Sequence, residues 1–169
     1  FLELIIDPAC SIVFEAEQAE PGIMQRPPRD PGDHVLDRPT VAIALAQGLV
    51  ALCSVLGITL YGMKQGLGAD EIRTITFVTI VVANLGLICT NRSWSESMIA
   101  TFRKPNRAFW WVMGGTAFFL GAVLLIPGLR ALFRFAPVSP WYLLVCCMGG
   151  LMTVAWFEIY KVTRTRGFA

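Results

Sequence analysis

The chain has 169 residues, of which 55% are hydrophobic and only 15% are charged, and its mean hydropathy is +0.60. Soluble domains carry charge on about a quarter of their residues, so this composition excludes an ordinary soluble domain and indicates a membrane protein. The net charge of +2 gives no case for nucleic-acid binding, and the five cysteines form no CxxC motif or Cys/His cluster that would indicate a zinc site or a disulfide framework.

Five apolar segments follow one another along the chain. The first is a partial helix over residues 1–16, and each of the four later segments is long enough to cross about 30 Å of hydrocarbon as an α-helix. The sequence therefore predicts an all-α, multi-span membrane helix bundle, with the lipid bilayer as a partner and residues 1–169 forming one membrane domain. The four full spans are predicted at residues 40–63, 72–90, 108–126 and 140–160.

Two carboxylates, Glu3 and Asp7, lie inside the first apolar segment. They are four residues apart and would share one face of a helix, and Pro8 would free backbone carbonyls in the preceding turn. Because an unpaired charge in hydrocarbon is costly, acids at this depth indicate an ion or proton pathway. Oxygen ligands suit hard cations, so Ca²⁺, Mg²⁺, Mn²⁺, Na⁺ and H⁺ are all candidates. The competing interpretation is a structural, hydrogen-bonded pair within the bundle.

The basic residues orient the spans. Segments 17–39 and 91–107, together with the C-terminal tail, carry ten of the 14 lysines and arginines. The positive-inside rule therefore predicts that these three segments are cytoplasmic. Loop 17–39 contains five prolines, including a Pro-Pro pair that favours a stiff, extended backbone. This loop is either a bland linker or a docking segment.

Several other residues within the spans have structural interpretations. We expect Glu158 to form an interfacial ion pair with Lys161 rather than to take part in transport, and Gln47 to link two helices. We expect the cysteines to be buried as small hydrophobic residues. Small residues at helix-packing spacing are Ala44, Gly48, Gly114, Gly115, Gly149 and Gly150. The basic residues expected to meet anionic lipid headgroups are Arg103, Lys104 and Arg107.

The first segment and its loop carry a family resemblance. The stretch LELIIDPACSIVFEAE, followed by EPGIMQRPPRDP, resembles the sixth transmembrane helix and the next cytoplasmic loop of P-type cation-transporting ATPases. In that family an acidic residue lies in a proline-containing helix and is followed by an IM-x-RPPR signature. Here the signature occupies residues 23–29, and its spacing from Asp7 matches that of the calcium pumps without a gap. The sequence NRS at residues 91–93 resembles the end of helix eight, so the five segments correspond to helices six to ten.

The resemblance implies a cation site. Asp7 falls on the helix-six aspartate that ligates the transported cation, and Glu3 falls one turn earlier, where calcium pumps have an asparagine ligand. Asn84 falls near the acidic ligand of helix eight, although a bond between helices is an equal alternative for this amide. Ile6 stands where calcium pumps have a threonine, so one oxygen ligand is missing. The predicted site thus comprises Asp7, Glu3 and Asn84, with Pro8 as the helix breaker, and its ion and stoichiometry stay open.

The resemblance also implies partners. These are the upstream membrane helices and a cytoplasmic phosphorylation domain, which would meet the docking residues Met24, Arg26, Pro27, Pro28 and Arg29. The chain contains neither the family's Asp-Lys-Thr-Gly-Thr motif nor a P-loop, so we expect Mg-ATP to act only in a full-length parent and this chain alone not to hydrolyse ATP. It begins inside an apolar segment without Met, which predicts a fragment.

Three functions remain open on the sequence. The first is the C-terminal membrane part of an ATP-driven cation pump, expected in a bacterial plasma membrane. The second is a stand-alone, non-enzymatic membrane scaffold or regulator derived from the C-terminal half of a pump. A passive channel or secondary transporter is a weaker third, because the inverted repeats that would support it are not evident.

Overall fold

The structure, a computed structural model, describes residues 10–17, 19, 23–25, 38–93 and 98–166. All regular structure in this part of the chain is helical, which confirms the predicted all-α class. A helical segment at residues 10–15, here called α1, and a 3₁₀ turn at Ile23–Gln25 come first. The later helices are α2 Arg38–Lys64, α3 Ala69–Asn91, α4 Met98–Phe102, α5 Arg107–Leu125, α6 Pro127–Leu132 and α7 Pro140–Arg166.

Four of these helices are long and apolar enough to cross a membrane, which confirms the predicted multi-span bundle. The shortest, α5, has 19 residues and a length of about 28 Å, close to the thickness of the hydrocarbon core. Helix α2 includes Arg38 and Pro39, which were predicted to belong to the preceding loop. Proline is tolerated in a first turn because the N–H that it lacks would have no intrahelical acceptor. The four apolar spans are Arg38–Lys64, Ala69–Asn91, Arg107–Leu125 and Pro140–Lys161.

Helix α3 is the centre of the bundle and packs against both α2 and α7. In its apolar window 44% of the residues are buried, against 11% in α2 and in α5. Cross-helix contacts show that α2 runs antiparallel to α3, whereas α3 and α7 run in the same direction. The C-terminal ends of α1, α3 and α7 and the N-terminal end of α5 therefore lie at one end of the bundle, which we call the anchor end.

The crossing of α3 and α7 depends on two glycines. A Cβ atom at Gly150 would lie 2.6 Å from Cγ1 of Val82 and 3.0 Å from the backbone nitrogen of Ala83. A Cβ atom at Gly86 would lie 2.5 Å from Cγ2 of Val154. These separations are shorter than van der Waals contact, so only glycine lets the two backbones approach this closely. The packing role predicted for Gly150 is confirmed.

Gly149, also predicted to pack, lies against α2, where its Cβ would be 3.2 Å from Ile58. Three other glycines predicted to pack do not do so in the described part of the chain. A Cβ atom at Gly48, Gly114 or Gly115 would meet no atom within 4 Å. The prediction that the cysteines are buried is also wrong for Cys53 and Cys147, which are exposed. These positions lie on helix faces that also expose large apolar side chains, as expected for surfaces in contact with lipid. Examples are Leu45, Leu49, Leu52, Leu56 and Leu60 on α2, and Trp111, Phe118 and Leu125 on α5.

Candidate functional site

Only two of the predicted functional residues lie in the described part of the chain. Asn84 is half-buried in α3, and Met24, in the 3₁₀ turn, is 93% exposed. An exposed methionine in the proline-rich loop is available for a partner, and the docking role stays a prediction. The residues that lie outside the described part are Glu3, Asp7, Pro8, Arg26, Pro27, Pro28 and Arg29.

Along the sequence of α3, Asn84 falls between two residues that make polar contacts with α2. The side chains of Gln47 and Asn91 exchange two amide hydrogen bonds of 3.2 and 3.3 Å, which confirms the predicted role of Gln47 as a link between helices. Further along, the hydroxyl oxygens of Thr59 and Thr76 are 2.9 Å apart. Asn84 is seven residues before Asn91, so the two amides share a helix face and are about 10 Å apart along the axis. An amide oxygen at this depth could face either a cation or a helix.

The described end of α1 is fixed by a buried ion pair. Glu17 accepts hydrogen bonds from Nε of Arg92 at 2.7 Å and from Nη2 at 3.1 Å. Arg92 directly follows α3, and its side chain is only 1% exposed, whereas that of Glu17 is 14% exposed. The planar guanidinium group thus meets the carboxylate through two parallel bonds, the geometry that makes such pairs strong and directional.

Asn106 joins the same carboxylate to α5. Its Nδ2 atom donates to Oε2 of Glu17 at 2.9 Å and to the backbone carbonyl of Val13 at 3.1 Å. Its Oδ1 atom accepts from the backbone N–H of Phe109 at 2.8 Å and so caps the N-terminus of α5. One buried amide therefore holds α1 and starts α5. We refer to Glu17, Arg92 and Asn106 as the α1 anchor.

An apolar cluster lies beneath the α1 anchor. The guanidinium carbon of Arg92 is 4.4 Å from the centre of the Phe109 ring, a cation–π contact that compensates part of the cost of burying the charge. Phe109 packs with Val13 of α1 and with Ile88 and Cys89 of α3. The three helices are therefore joined by both polar and apolar contacts at the anchor end.

The surroundings of Glu17 keep its side chain ionised. Partial burial on its own raises the pKa of this carboxyl, but the hydrogen bonds from Arg92 and Asn106 and the positive charges of Arg92 and Lys104 lower it by more. The net effect is a pKa below the ordinary value of 4.5. At neutral pH the α1 anchor is therefore a charged pair.

A second polar cluster joins α3 to α7. Glu158 Oε1 is 3.0 Å from Nζ of Lys161, and Glu158 Oε2 accepts from the backbone N–H of Met98 at 2.9 Å. The hydroxyl of Thr90 donates to Glu158, and Lys161 donates to both the carbonyl and the hydroxyl oxygen of Thr90. The predicted ion pair is present, but with Lys161 only 4% exposed it lies between helices and not at an open interface.

The sequence reasoning missed the α1 anchor. The available signals were an arginine placed directly after a span and an asparagine placed directly before the next one. Both patterns are typical of helix ends, and neither indicates which carboxylate the arginine would meet. Among the described residues no group of three or more His, Cys, Asp or Glu side chains could hold a metal ion. The predicted cation site therefore depends on Glu3 and Asp7.

Comparison with known proteins agrees with this architecture. The sequence profile of the family described as "Cation transporting ATPase, C-terminus" matches residues 1–163. Three proteins named "Probable cation-transporting ATPase F" are each 27% identical to this chain over 133 residues. One is from Mycobacterium bovis and two are from strains of Mycobacterium tuberculosis. These alignments cover 78% of this chain, which spans 14% of the length of the relatives that it matches. With its apolar spans and a family match over nearly its whole length, the chain belongs to the C-terminal membrane region of P-type cation-transporting ATPases.

Proposed function

We propose that this chain is the C-terminal membrane part of an ATP-driven cation pump, and that Asp7, Glu3 and Asn84 contribute oxygen ligands to the transported cation. The observation that carries the proposal is the α1 anchor, which ties the end of the segment bearing Asp7 to the membrane helices α3 and α5. Glu17 follows Asp7 by ten positions, which corresponds to about 15 Å along the axis if the first helix continues to that residue. That distance corresponds to half of the hydrocarbon thickness.

The proposed ligands match the chemistry of a hard cation. Carboxylates at Glu3 and Asp7 supply negative charge, and Asn84 adds a neutral oxygen from α3. Pro8 would free backbone carbonyls near Glu3, as in the interrupted helices of other transporters. Because Ile6 stands where an oxygen ligand is expected, the proposed site has fewer oxygen ligands than a two-calcium site requires. Ca²⁺, Mg²⁺, Mn²⁺, Na⁺ and H⁺ are the ions to be tested.

The proline-rich loop is the proposed link to ATP chemistry. The residues Met24, Arg26, Pro27, Pro28 and Arg29 would contact a cytoplasmic phosphorylation domain, where Mg-ATP would act. Movements of that domain would then reach Asp7 through the loop and the first helix, while the α1 anchor holds the cytoplasmic end of that helix against α3 and α5. The parent protein would lie in a bacterial plasma membrane with its C-terminus in the cytoplasm, as the distribution of basic residues favours.

The test is Asp7→Asn in the full-length pump. Because the substitution removes the charge and keeps the shape, we expect cation-dependent phosphoenzyme formation to be lost for the transported ion, with protein abundance unchanged. The matched control is Glu15→Gln, which also converts a carboxylate to an amide but lies at an exposed position on α1. Normal transport by the Asp7→Asn variant would contradict the assignment of Asp7 to the cation site. If no candidate cation stimulated phosphorylation of the wild type, the assignment of the protein as a cation pump would be wrong.

A further inference from the structure

Helix α7 makes polar contacts with both α3 and α4, the helices on either side of the turn that follows α3. Glu158 accepts a hydrogen bond from the backbone N–H of Met98, the first residue of α4, at 2.9 Å. Lys161 donates to the backbone carbonyl of Thr90, in the last turn of α3, and to its hydroxyl oxygen at 3.1 Å. The two charged side chains are bonded to each other at 3.0 Å. One ion pair on α7 therefore holds both the end of α3 and the start of α4.

These bonds satisfy backbone groups that a helix cannot satisfy within itself. The last four carbonyl groups of an α-helix and its first four N–H groups have no intrahelical partner. The carbonyl of Thr90 belongs to the first class, and the N–H of Met98 belongs to the second. A lysine at the C-terminal end of α3 also interacts favourably with the dipole of that helix. Lys161 and Glu158 thus complete the hydrogen bonding of two helix ends.

Apolar packing between α4 and α7 is incomplete beside this ion pair. A cavity of about 400 Å³ lies there, lined mainly by α3 and α7 and bordered by Met98 and Phe102 of α4. Glu158 is among the residues of α7 that line it. Because apolar side chains across a gap make few contacts with one another, the bond from Met98 to Glu158 contributes much of the attachment of α4 to α7.

The same stretch of chain carries two members of the α1 anchor. Arg92 closely follows Thr90, and Asn106 closely follows α4. Arg92 and Asn106 are both buried, and both bind the carboxylate of Glu17. Two carboxylates that are far apart in the sequence, Glu17 and Glu158, therefore bind the stretch from the end of α3 to the start of α5.

We propose that Glu158 and Lys161 are positioning residues of the cation site. They act without touching the ion, because they fix the helix ends from which the α1 anchor holds Glu17. Asp7 lies ten positions before Glu17 in the sequence, so a shift of the anchor would reach the segment that carries the proposed ligand. This inference rests on the proposed function for its effect on the cation, whereas the support that α7 gives to α1 can be measured separately.

The experiment uses the full-length protein with Glu158→Gln and Lys161→Met combined, a double substitution that removes both charges and leaves neither ion unpaired. We expect hydrogen exchange of residues 10–17 to accelerate, because the α1 anchor loses its support from α7. With Ca²⁺, Mg²⁺, Mn²⁺ and Na⁺ tested in turn, the concentration for half-maximal phosphorylation should rise about fivefold at an unchanged maximal rate. The control is Ser54→Ala, which removes a 2.7 Å bond to the Gly149 carbonyl of α7 and should change neither measurement.

A second comparison separates positioning from a general loss of stability. In a Glu17→Gln background the α1 anchor is already weakened, so adding the double substitution should raise the required cation concentration by less than it does in the wild type. Additive effects on the cation concentration would overturn the proposal. Unchanged hydrogen exchange of residues 10–17, or faster exchange with an unchanged cation dependence, would overturn it as well.

A milder variant covers the case in which the double substitution does not fold. Thr90→Val removes the hydroxyl that both charged side chains bind and keeps the ion pair. It should shift both measurements in the same direction by a smaller amount, and the absence of any shift would overturn the proposal. If no cation stimulated phosphorylation of the wild type, the proposed function would be wrong, and hydrogen exchange would still measure the support of α1 by α7.

Discussion

Glu17 and Arg92, 75 residues apart in the sequence, form a two-pronged ion pair that is almost fully buried where α1 meets α3. The pair is completed by Asn106, which binds the same carboxylate and caps α5. Three helices that are distant in the sequence are therefore joined at one carboxylate. Asp7 lies ten positions before Glu17 in the sequence, so we expect the position of the proposed cation ligand to depend on this contact.

Removal of the arginine tests this contact. Arg92→Ala leaves the Glu17 carboxylate buried without its main partner, which typically costs about 3–5 kcal/mol. We expect hydrogen exchange in α1 to accelerate by a corresponding factor in the full-length protein. The matched control is Arg73→Ala, which breaks an exposed pair with Asp70 and should change stability by less than about 1 kcal/mol. Equal effects of the two substitutions would contradict a special role for the α1 anchor.

Acid sensitivity tests the ionisation of Glu17. Its pKa in the folded protein lies below the ordinary value of 4.5, so ionisation favours the folded state. This contribution is complete above the unfolded pKa and is lost as the pH falls through the lower, folded pKa. We expect Glu17→Gln to lower the melting temperature at pH 7, with the difference from the wild type shrinking once the pH falls below 4.5. A difference that stays constant down to acid pH would show that shape, and not charge, accounts for the effect.

The same substitution, glycine to alanine, should change the stability of the protein in opposite directions at two positions. Gly150→Ala would place a methyl group 2.6 Å from Val82 and 3.0 Å from the backbone of Ala83, and overpacking of this kind costs about 1–3 kcal/mol. Gly114→Ala meets no atom within 4 Å, and alanine favours the helix by up to about 1 kcal/mol. Melting temperatures of the two variants provide the measurement. Destabilisation by Gly114→Ala would indicate that another helix of the full-length protein packs there.

The cluster at Glu158 should show strong coupling between its charged members. Lys161→Met leaves a buried carboxylate without its cation and should destabilise the protein by about 3–5 kcal/mol. Adding Glu158→Gln removes the uncompensated charge, so the double variant should be more stable than Lys161→Met alone. A double-mutant cycle on melting free energies measures this coupling. Additive effects would mean that Thr90 and the backbone of Met98 satisfy Glu158 without the lysine.

Asn84 distinguishes ion binding from helix packing. If the amide is a ligand, Asn84→Ala should raise the cation concentration for half-maximal phosphorylation of the full-length protein about tenfold or more. Gln47→Ala is the control, because it removes an amide of the α2–α3 interface that already has Asn91 as its partner. The control should lower stability and leave the cation dependence unchanged. Parallel behaviour of both variants would assign Asn84 to packing.

The predictions from sequence succeeded where the relevant property is local. Span length and apolar content belong to consecutive residues, which is why the four membrane helices could be predicted. The link by Gln47 and the pair of Glu158 with Lys161 were also predictable, because a polar residue in a span needs a partner and Lys161 is one turn from Glu158.

Predictions that depend on helix rotation were less successful. Gly114 and Gly150 have the same small-residue signature, yet only Gly150 lies at a crossing. Cys53 and Cys147 have apolar neighbours in sequence but are on faces turned outward. In both cases the outcome depends on which face of a helix meets its neighbour, and sequence spacing alone does not determine that.

The sequence by itself determined that this is an all-α membrane protein of the P-type cation ATPase family, because hydrophobic length and short motifs are properties of contiguous residues. Only the tertiary structure decided that Glu17 meets Arg92, that Gly150 lies at the crossing of α3 and α7, and that an apolar cavity is lined mainly by these two helices. These features arise from contacts between helices far apart in the chain. They follow from how the whole bundle packs, which no single segment encodes.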